Sequence, residues 1–162
     1  MIRAALETPL GEMIAIADEK ALHLLEFSNR KNLARQIARL PQDIKRGTNP
    51  IIKALSHELA LYFEGRLKNF KTPLVLHGSV FQKEVWSGLQ SLSYGETLSY
   101  KALAERIGKA KSIRPLASAV GANAHALIIP CHRVIGSDGS LTGYAGGLER
   151  KKALLNIEGA LY

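Results

Sequence analysis

Between residues 2 and 27 the apolar side chains come in short alternating runs, whereas from Ser79 onward they recur at helical spacing. A change of period from two to about 3.6 residues separates sheet-forming from helix-forming chain, so two structural parts are expected. Residues 2–6, 12–17 and 21–27 read as strands, broken by Thr8-Pro9-Leu10-Gly11 and by Asp18-Glu19-Lys20. Leu33, Ile37 and Leu40 stand at i, i+4 and i+7 and predict a helix that Pro41 stops. Asn49 then caps a second helix with Pro50 at its first position. Its apolar face is Ile51, Ile52, Leu55, Leu59, Tyr62 and Phe63, and Gly65 sits just past its end. Residues 66–80 read as a connector with one short extended piece.

In the second part, Ser79 and Gln82 have the spacing of a capping box, ahead of a face formed by Phe81, Val85, Leu89 and Leu92. Gly95 ends the connecting turn. Ser99 caps a short helix bearing Tyr100, Leu103, Ala104 and Ile107, and Gly108 closes it. Ser112 is placed to cap the next helix, residues 113–121, in which Pro115 falls within the tolerated first turn. Two short helices with a tight glycine-containing link fit helix-turn-helix geometry. A glycine-rich loop (Gly136, Gly139, Gly143, Gly146, Gly147) leads to a last helix, residues 148–158. The expected fold class is α+β. A small N-terminal antiparallel sheet with helices occupies residues 1–78, and a mostly helical domain with the helix-turn-helix occupies residues 79–162.

Charge narrows the partners. Lys and Arg number 22 against 14 acids, a formal +8, and residues 106–137 hold five bases and no acid. Such a balance favours a polyanion, above all nucleic acid. No apolar run approaches the ~18–20 residues of a membrane span, and the N-terminus lacks the apolar core of an export signal, so a cytoplasmic protein is expected. The single cysteine, Cys131, excludes an internal disulfide and a zinc site built from several thiolates.

Cys131 lies in Ile128-Ile129-Pro130-Cys131-His132-Arg133-Val134-Ile135, an apolar segment interrupted by four residues of other chemistry. Pro130 keeps Ile129 extended and so gives Cys131 a defined direction. A thiol of pKa ~8.5 is a weak nucleophile at neutral pH until a neighbour stabilises its thiolate. His132 is placed to do so, directly or through a water, and Arg133 adds positive potential. On extended backbone adjacent side chains diverge, which makes a bridging water the easier geometry. The competing interpretation is a buried inert thiol followed by a surface His and Arg.

Pro130-Cys131-His132-Arg133-Val134 resembles the active-site signature of the O6-alkylguanine-DNA alkyltransferases. Phe81-Gln82-Lys83-Glu84-Val85-Trp86 and Tyr94-Gly95-Glu96 to Ser99-Tyr100 look like the start of that family's catalytic domain. Ala119-Val120-Gly121-Ala122-Asn123 precedes the cysteine at the family's distance. Thr142-Gly143-Tyr144-Ala145-Gly146-Gly147-Leu148, and Leu154-Leu155 through Ile157-Glu158-Gly159, complete the pattern. The resemblance is strong over residues 79–160. In the first part it is limited to the Thr-Pro-Leu-Gly turn and overall length.

The resemblance implies a ribonuclease-H-like first domain and a winged-helix-like second one. It also implies a suicidal repair protein that takes the alkyl group from O6-alkylguanine, and from O4-alkylthymine, in double-stranded DNA. By the same resemblance Cys131 accepts the alkyl group, and His132 acts as a water-mediated base oriented by Glu158. Asn123 is a hinge, and Tyr100 donates a proton or hydrogen bond to the departing base. Val120, Val134, Tyr144 and Ala145 belong to the base pocket. Arg114 becomes the finger that fills the space of a flipped base, although Pro115 and Leu116 depart from the family pattern beside it. Ala117, Ser118, Ala119, Gly121 and Ala122 allow close approach to a minor groove. Gln82, Lys101, Lys109 and Ser137 stand at positions for phosphate contacts. No metal or cofactor is implied, and the protein is expected to act as a monomer, away from membranes. A non-catalytic alkyl-base sensor would lack Cys131. A helix-turn-helix regulator would need a dimerising or effector-binding segment, and none is evident.

Overall fold

The computed structural model describes residues 1–40, 43–160 and 162. The chain divides into two compact units, Met1–His77 and Gly78–Tyr162.

In the first unit, β1 (Ile2–Thr8), β2 (Gly11–Ala17) and β3 (Leu22–Phe27) form the expected antiparallel meander. A short β4 (Lys45–Arg46) makes the sheet four-stranded in the order β3-β2-β1-β4, and it runs parallel to β1. The sheet is therefore mixed rather than wholly antiparallel. Two exposed basic residues carry no periodic signal, and their pairing with Ile2 and Arg3 is remote in sequence. One face of the sheet packs Ile14, Ile16 and Leu24 against Leu33 of α1 (Leu33–Ala38), with Met1, Ile37, Leu40 and Ile44 around them. Pro41, expected to stop α1, lies outside the described residues.

The next helix, α2 (Pro50–Phe63), begins as its sequence dictates: the Asn49 side chain accepts the Ile52 N–H at 2.9 Å, and Pro50 takes the first turn. It buries Ile52, Leu55, Leu59 and Tyr62, and Gly65 leaves it at φ 73°. The extended piece of the connector is Leu74, which bridges to Leu22 in parallel.

In the second unit the capping box of α3 (Val80–Gln90) is complete. Ser79 Oγ accepts the Gln82 N–H at 3.1 Å, and Gln82 Oε1 accepts the Ser79 N–H at 2.9 Å. Trp86 donates its indole N–H to Ala119 O at 2.8 Å, which ties α3 to α5 (Ile113–Gly121). Ser99 caps α4 (Tyr100–Arg106) through the Ala102 N–H at 3.0 Å. Ser112 does not cap α5, because its backbone (φ −117°, ψ 38°) is not extended and its side chain makes no capping bond. The helix α6 (Leu148–Ile157) closes the unit with Glu158 as its C-cap. Between them, β5 (Leu98–Ser99) and β6 (Val134–Ile135) pair in parallel and set the start of α4 beside the cysteine segment.

Candidate active site

The cysteine segment is not extended throughout. Cys131–Arg133 forms a 3₁₀ turn, with the Cys131 N–H on Ile129 O at 2.8 Å and the Arg133 N–H on Pro130 O at 3.0 Å. Only Val134 and Ile135 are strand, because β5 offers two residues of pairing and no more. The turn leaves Cys131 half-buried and sends His132 and Arg133 inward, where both are buried. Polar groups taken from water need partners, and the rest of the site supplies most of them.

Asn123 follows the end of α5 and is buried. Its Nδ2 donates to Ile129 O at 2.8 Å and to Cys131 Sγ at 3.3 Å, while Oδ1 accepts the His125 N–H at 2.9 Å. One side chain thus fixes the approach to the turn and directs an N–H at the sulfur, a contact that favours the thiolate.

His132 Nε2 lies 2.7 Å from Glu158 Oε2, and both side chains are fully out of solvent. Burial would raise the Glu158 carboxyl, but hydrogen bonds and charge from His132 and Arg133 outweigh it and hold the group down at about 2. Burial lowers His132, and Arg133 and Lys151 add to that, against the pull of Glu158. Burial thus favours the neutral imidazole at His132. With an ionised carboxylate at Nε2, that nitrogen carries the proton and donates it. Nδ1 then holds the lone pair, and this buried atom has no protein hydrogen-bond partner among the described residues. A solvated Glu at a loose helix end is ruled out by the burial of Glu158.

Tyr100, the first residue of α4, hydrogen-bonds Thr142. Burial, then the nearby Cys131 charge, keep its hydroxyl protonated above the usual phenol range. Lys151 carries no motif that marks it in the sequence, yet it belongs here. It is fully buried on α6, and Nζ donates to Val134 O at 2.5 Å, Thr142 O at 2.7 Å and Gly143 O at 3.2 Å. Burial lowers it to about 8, against the opposing effect of the Cys131 charge. Lys151, Leu154, Leu155 and Glu158 stand at i, i+3, i+4 and i+7, so the helical period alone places the lysine on the buried face. Arg133 was assigned only a diffuse positive potential, but both Glu158 oxygens are in its grip.

Of the base-pocket positions, Val120 and Val134 are buried, Tyr144 is half-buried and Ala145 exposed. The positions assigned to DNA lie on the surface to different degrees. Arg114, Lys101 and Ser137 are exposed. Lys109 pairs with Glu84 at 2.7 Å and sits 5.5 Å from the Phe81 ring centroid, so its charge is partly neutralised. Gln82 is half-buried and commits its side-chain oxygen to the capping box. On α5 the departures from pattern are absorbed: Leu116 is fully buried in the core and Pro115 occupies the first turn, while Arg114 remains exposed. Arg114, Ala117, Ser118 and Gly121 form one exposed face of small residues headed by the arginine. Among the described residues, no group of three or more His, Cys, Asp or Glu side chains could hold a metal ion.

The site joins a half-buried cysteine to a buried His–Glu pair beside two short helices, and comparison with known proteins is specific. Residues 80–160 match the family model of the 6-O-methylguanine DNA methyltransferase DNA binding domain, and residues 1–76 match that of its ribonuclease-like domain. A methylated-DNA–protein-cysteine methyltransferase of Methanosarcina acetivorans is 39% identical over 160 residues, covering 99% of each chain. One from Shigella flexneri is 38% identical over 168 residues, covering 99% of this chain and 97% of that one. The crystal structure of Mycobacterium tuberculosis OGT in complex with DNA superposes with a TM-score of 0.87 at 33% identity, covering 98% of this chain and 92% of that one. This chain belongs to the 6-O-methylguanine DNA methyltransferase family.

Proposed function

We propose that this protein repairs double-stranded DNA by moving the alkyl group from guanine O6, and from thymine O4, onto Cys131, once per molecule. The observation that carries the reading is the buried His132–Glu158 pair, 2.7 Å apart, one residue from a half-buried thiol. His132 Nδ1 takes the thiol proton, directly or through a water, and Glu158 stabilises the imidazolium through Nε2. The sulfur, favoured as thiolate by Asn123, attacks the alkyl carbon: the S–C bond forms, the C–O bond breaks, and the pair stays with the base. Tyr100, kept protonated, gives the departing guanine its proton. The proton lodged on His132 balances that transfer. A thioether results, and no residue of the site is equipped to cleave it.

The target oxygen lies within stacked duplex, so the base has to leave the stack. Arg114 takes its place from the small-residue face of α5, and Lys101, Lys109, Gln82 and Ser137 meet phosphates. Val120, Val134, Tyr144 and Ala145 frame the extruded base. Residues 79–162 thus hold the DNA-binding and alkyl-acceptor functions, and residues 1–78 have a structural one. The protein works as a monomer in the cytoplasm, where no membrane is needed; no helix among the described residues is long and apolar enough to cross one. The test is titration with a duplex bearing labelled O6-methylguanine. Transfer should stop at one methyl per protein however much substrate is present. Continued turnover, or no transfer to protein, would overturn the reading.

A further inference from the structure

Glu158 occupies an unfavourable place for a charge. It is the C-cap of α6, where the carbonyl end of the helix repels an anion, and it is buried. A carboxylate survives there only with a counter-charge. Burial works against charge on His132, which therefore does not supply a permanent one.

Arg133 does. Its Nε donates to Glu158 Oε1 at 2.8 Å and its Nη2 to Oε2 at 3.2 Å, a two-point grip on the carboxylate. The remaining arm, Nη1, donates to Leu92 O at 2.7 Å, and the guanidinium carbon lies 6.0 Å from the Tyr94 ring centroid. The turn that holds Arg133 is itself fastened to the end of α6. Tyr94 OH donates to Ile157 O at 3.1 Å, and Gly95, at φ 82°, has no Cβ to meet Glu158 O, which would lie 3.0 Å from one. The guanidinium is thus placed from three sides before any substrate arrives.

We propose that Arg133 is a positioning residue: it holds Glu158 as the carboxylate, so that His132 rests as a neutral imidazole with its proton on Nε2 and its lone pair on Nδ1. The inference rests on the Cys131–His132–Glu158 relay and adds what keeps the relay in its working protonation state. The ionisable groups about this cluster are Cys131, His132 and Arg133 on the 3₁₀ turn, Tyr94 and Glu96 on the turn after α3, Tyr100 on α4, and Lys151 and Glu158 on α6. Arg133 touches both oxygens of Glu158. Without it the buried carboxylate draws a proton onto His132, whose Nδ1 then has no lone pair for the thiol.

The test is single-turnover methyl transfer from an O6-methylguanine duplex across pH, with melting temperatures recorded for each variant. In Arg133→Gln the acid limb of the profile should move up by about one pH unit or more, about a tenfold loss on that limb. Arg133→Lys keeps the charge but grips at one point, so it should move the limb less and in the same direction. Because Arg133 acts through Glu158, adding Arg133→Gln to Glu158→Gln should change the rate less than about twofold. ¹⁵N-histidine spectra should show His132 neutral and protonated on Nε2 in the parent, and titrating in Arg133→Gln. A loss equal at every pH, or one that multiplies with that of Glu158→Gln, would reduce Arg133 to a structural residue and overturn the proposal. If Glu158→Gln shifts the profile and Arg133→Gln does not, only this inference falls. An unshifted Glu158→Gln profile overturns the relay as well.

Discussion

The side-chain amide of Asn123 donates to the sulfur of Cys131 at 3.3 Å while holding Ile129 O at 2.8 Å. A residue that ends a helix linker therefore also touches the reacting atom. Replacing Asn123 by Ala should lower stability by about 1–3 kcal/mol, since it strands buried backbone groups. It should also slow transfer, because the thiolate loses a donor. Thermal melts and single-turnover rates at a temperature where both proteins are folded separate the two effects. An unchanged rate would make Asn123 purely structural.

Arg114 heads an exposed face of small residues on α5, whereas the His132–Glu158 pair is buried. Arg114→Ala should therefore impair repair of duplex substrate while sparing reaction with the free alkylated base, because only the duplex requires extrusion. Parallel assays on the two substrates decide this. Equal losses would assign Arg114 to the chemistry or the fold.

Lys101 is exposed, whereas Lys109 is paired with Glu84 at 2.7 Å. Duplex affinity should fall as salt rises, with little dependence on sequence. Lys101→Ala should flatten that salt slope by about one, and Lys109→Ala should flatten it less. Binding isotherms over a salt series check both, and a larger effect at Lys109 would contradict the assignment.

Stability should respond to pH through Glu26 in the first unit. Burial raises its carboxyl from 4.5 to about 7, against the opposing charge and hydrogen bond of Arg30. The folded state then binds the proton more tightly than the unfolded chain. Stability is fully present below about pH 4.5 and declines as pH rises to about 7, by roughly 3 kcal/mol in all. Glu158 and Asp18, both held at about 2, act in the opposite sense and only below the carboxylate range, so the windows are separate. Glu26→Gln should gain on the parent between about pH 5 and about pH 7 in denaturant melts. A constant difference across that range would rule out titration of Glu26.

Features set by local chemistry are legible in the sequence. Asn49-Pro50, the Ser79–Gln82 box and the Ser99 cap each involve residues within one helical turn, and each formed as read. What could not be read depends on partners distant in sequence. The parallel strand Lys45–Arg46 exists because β1 offers an edge, and the 3₁₀ turn at Cys131 exists because His132 and Arg133 must reach Glu158, 26 and 25 residues on. Ser112 met the statistical preference for a cap yet had the wrong backbone. Cys131 beside His132 is readable from the segment's own chemistry, whereas the part of Glu158 came from a family resemblance. Lys151 was within reach of periodicity, but a lysine flanked by Arg150 and Lys152 reads as a solvated face until its three carbonyl partners are seen.

The central claim is that the alkyl group ends on one particular sulfur. After reaction with a duplex carrying isotope-labelled O6-methylguanine, peptide mapping by mass spectrometry should find the label only as S-methylcysteine at residue 131. Cys131→Ala should acquire none and still bind the duplex. Label on any other residue, or methylation of Cys131→Ala, would contradict the account.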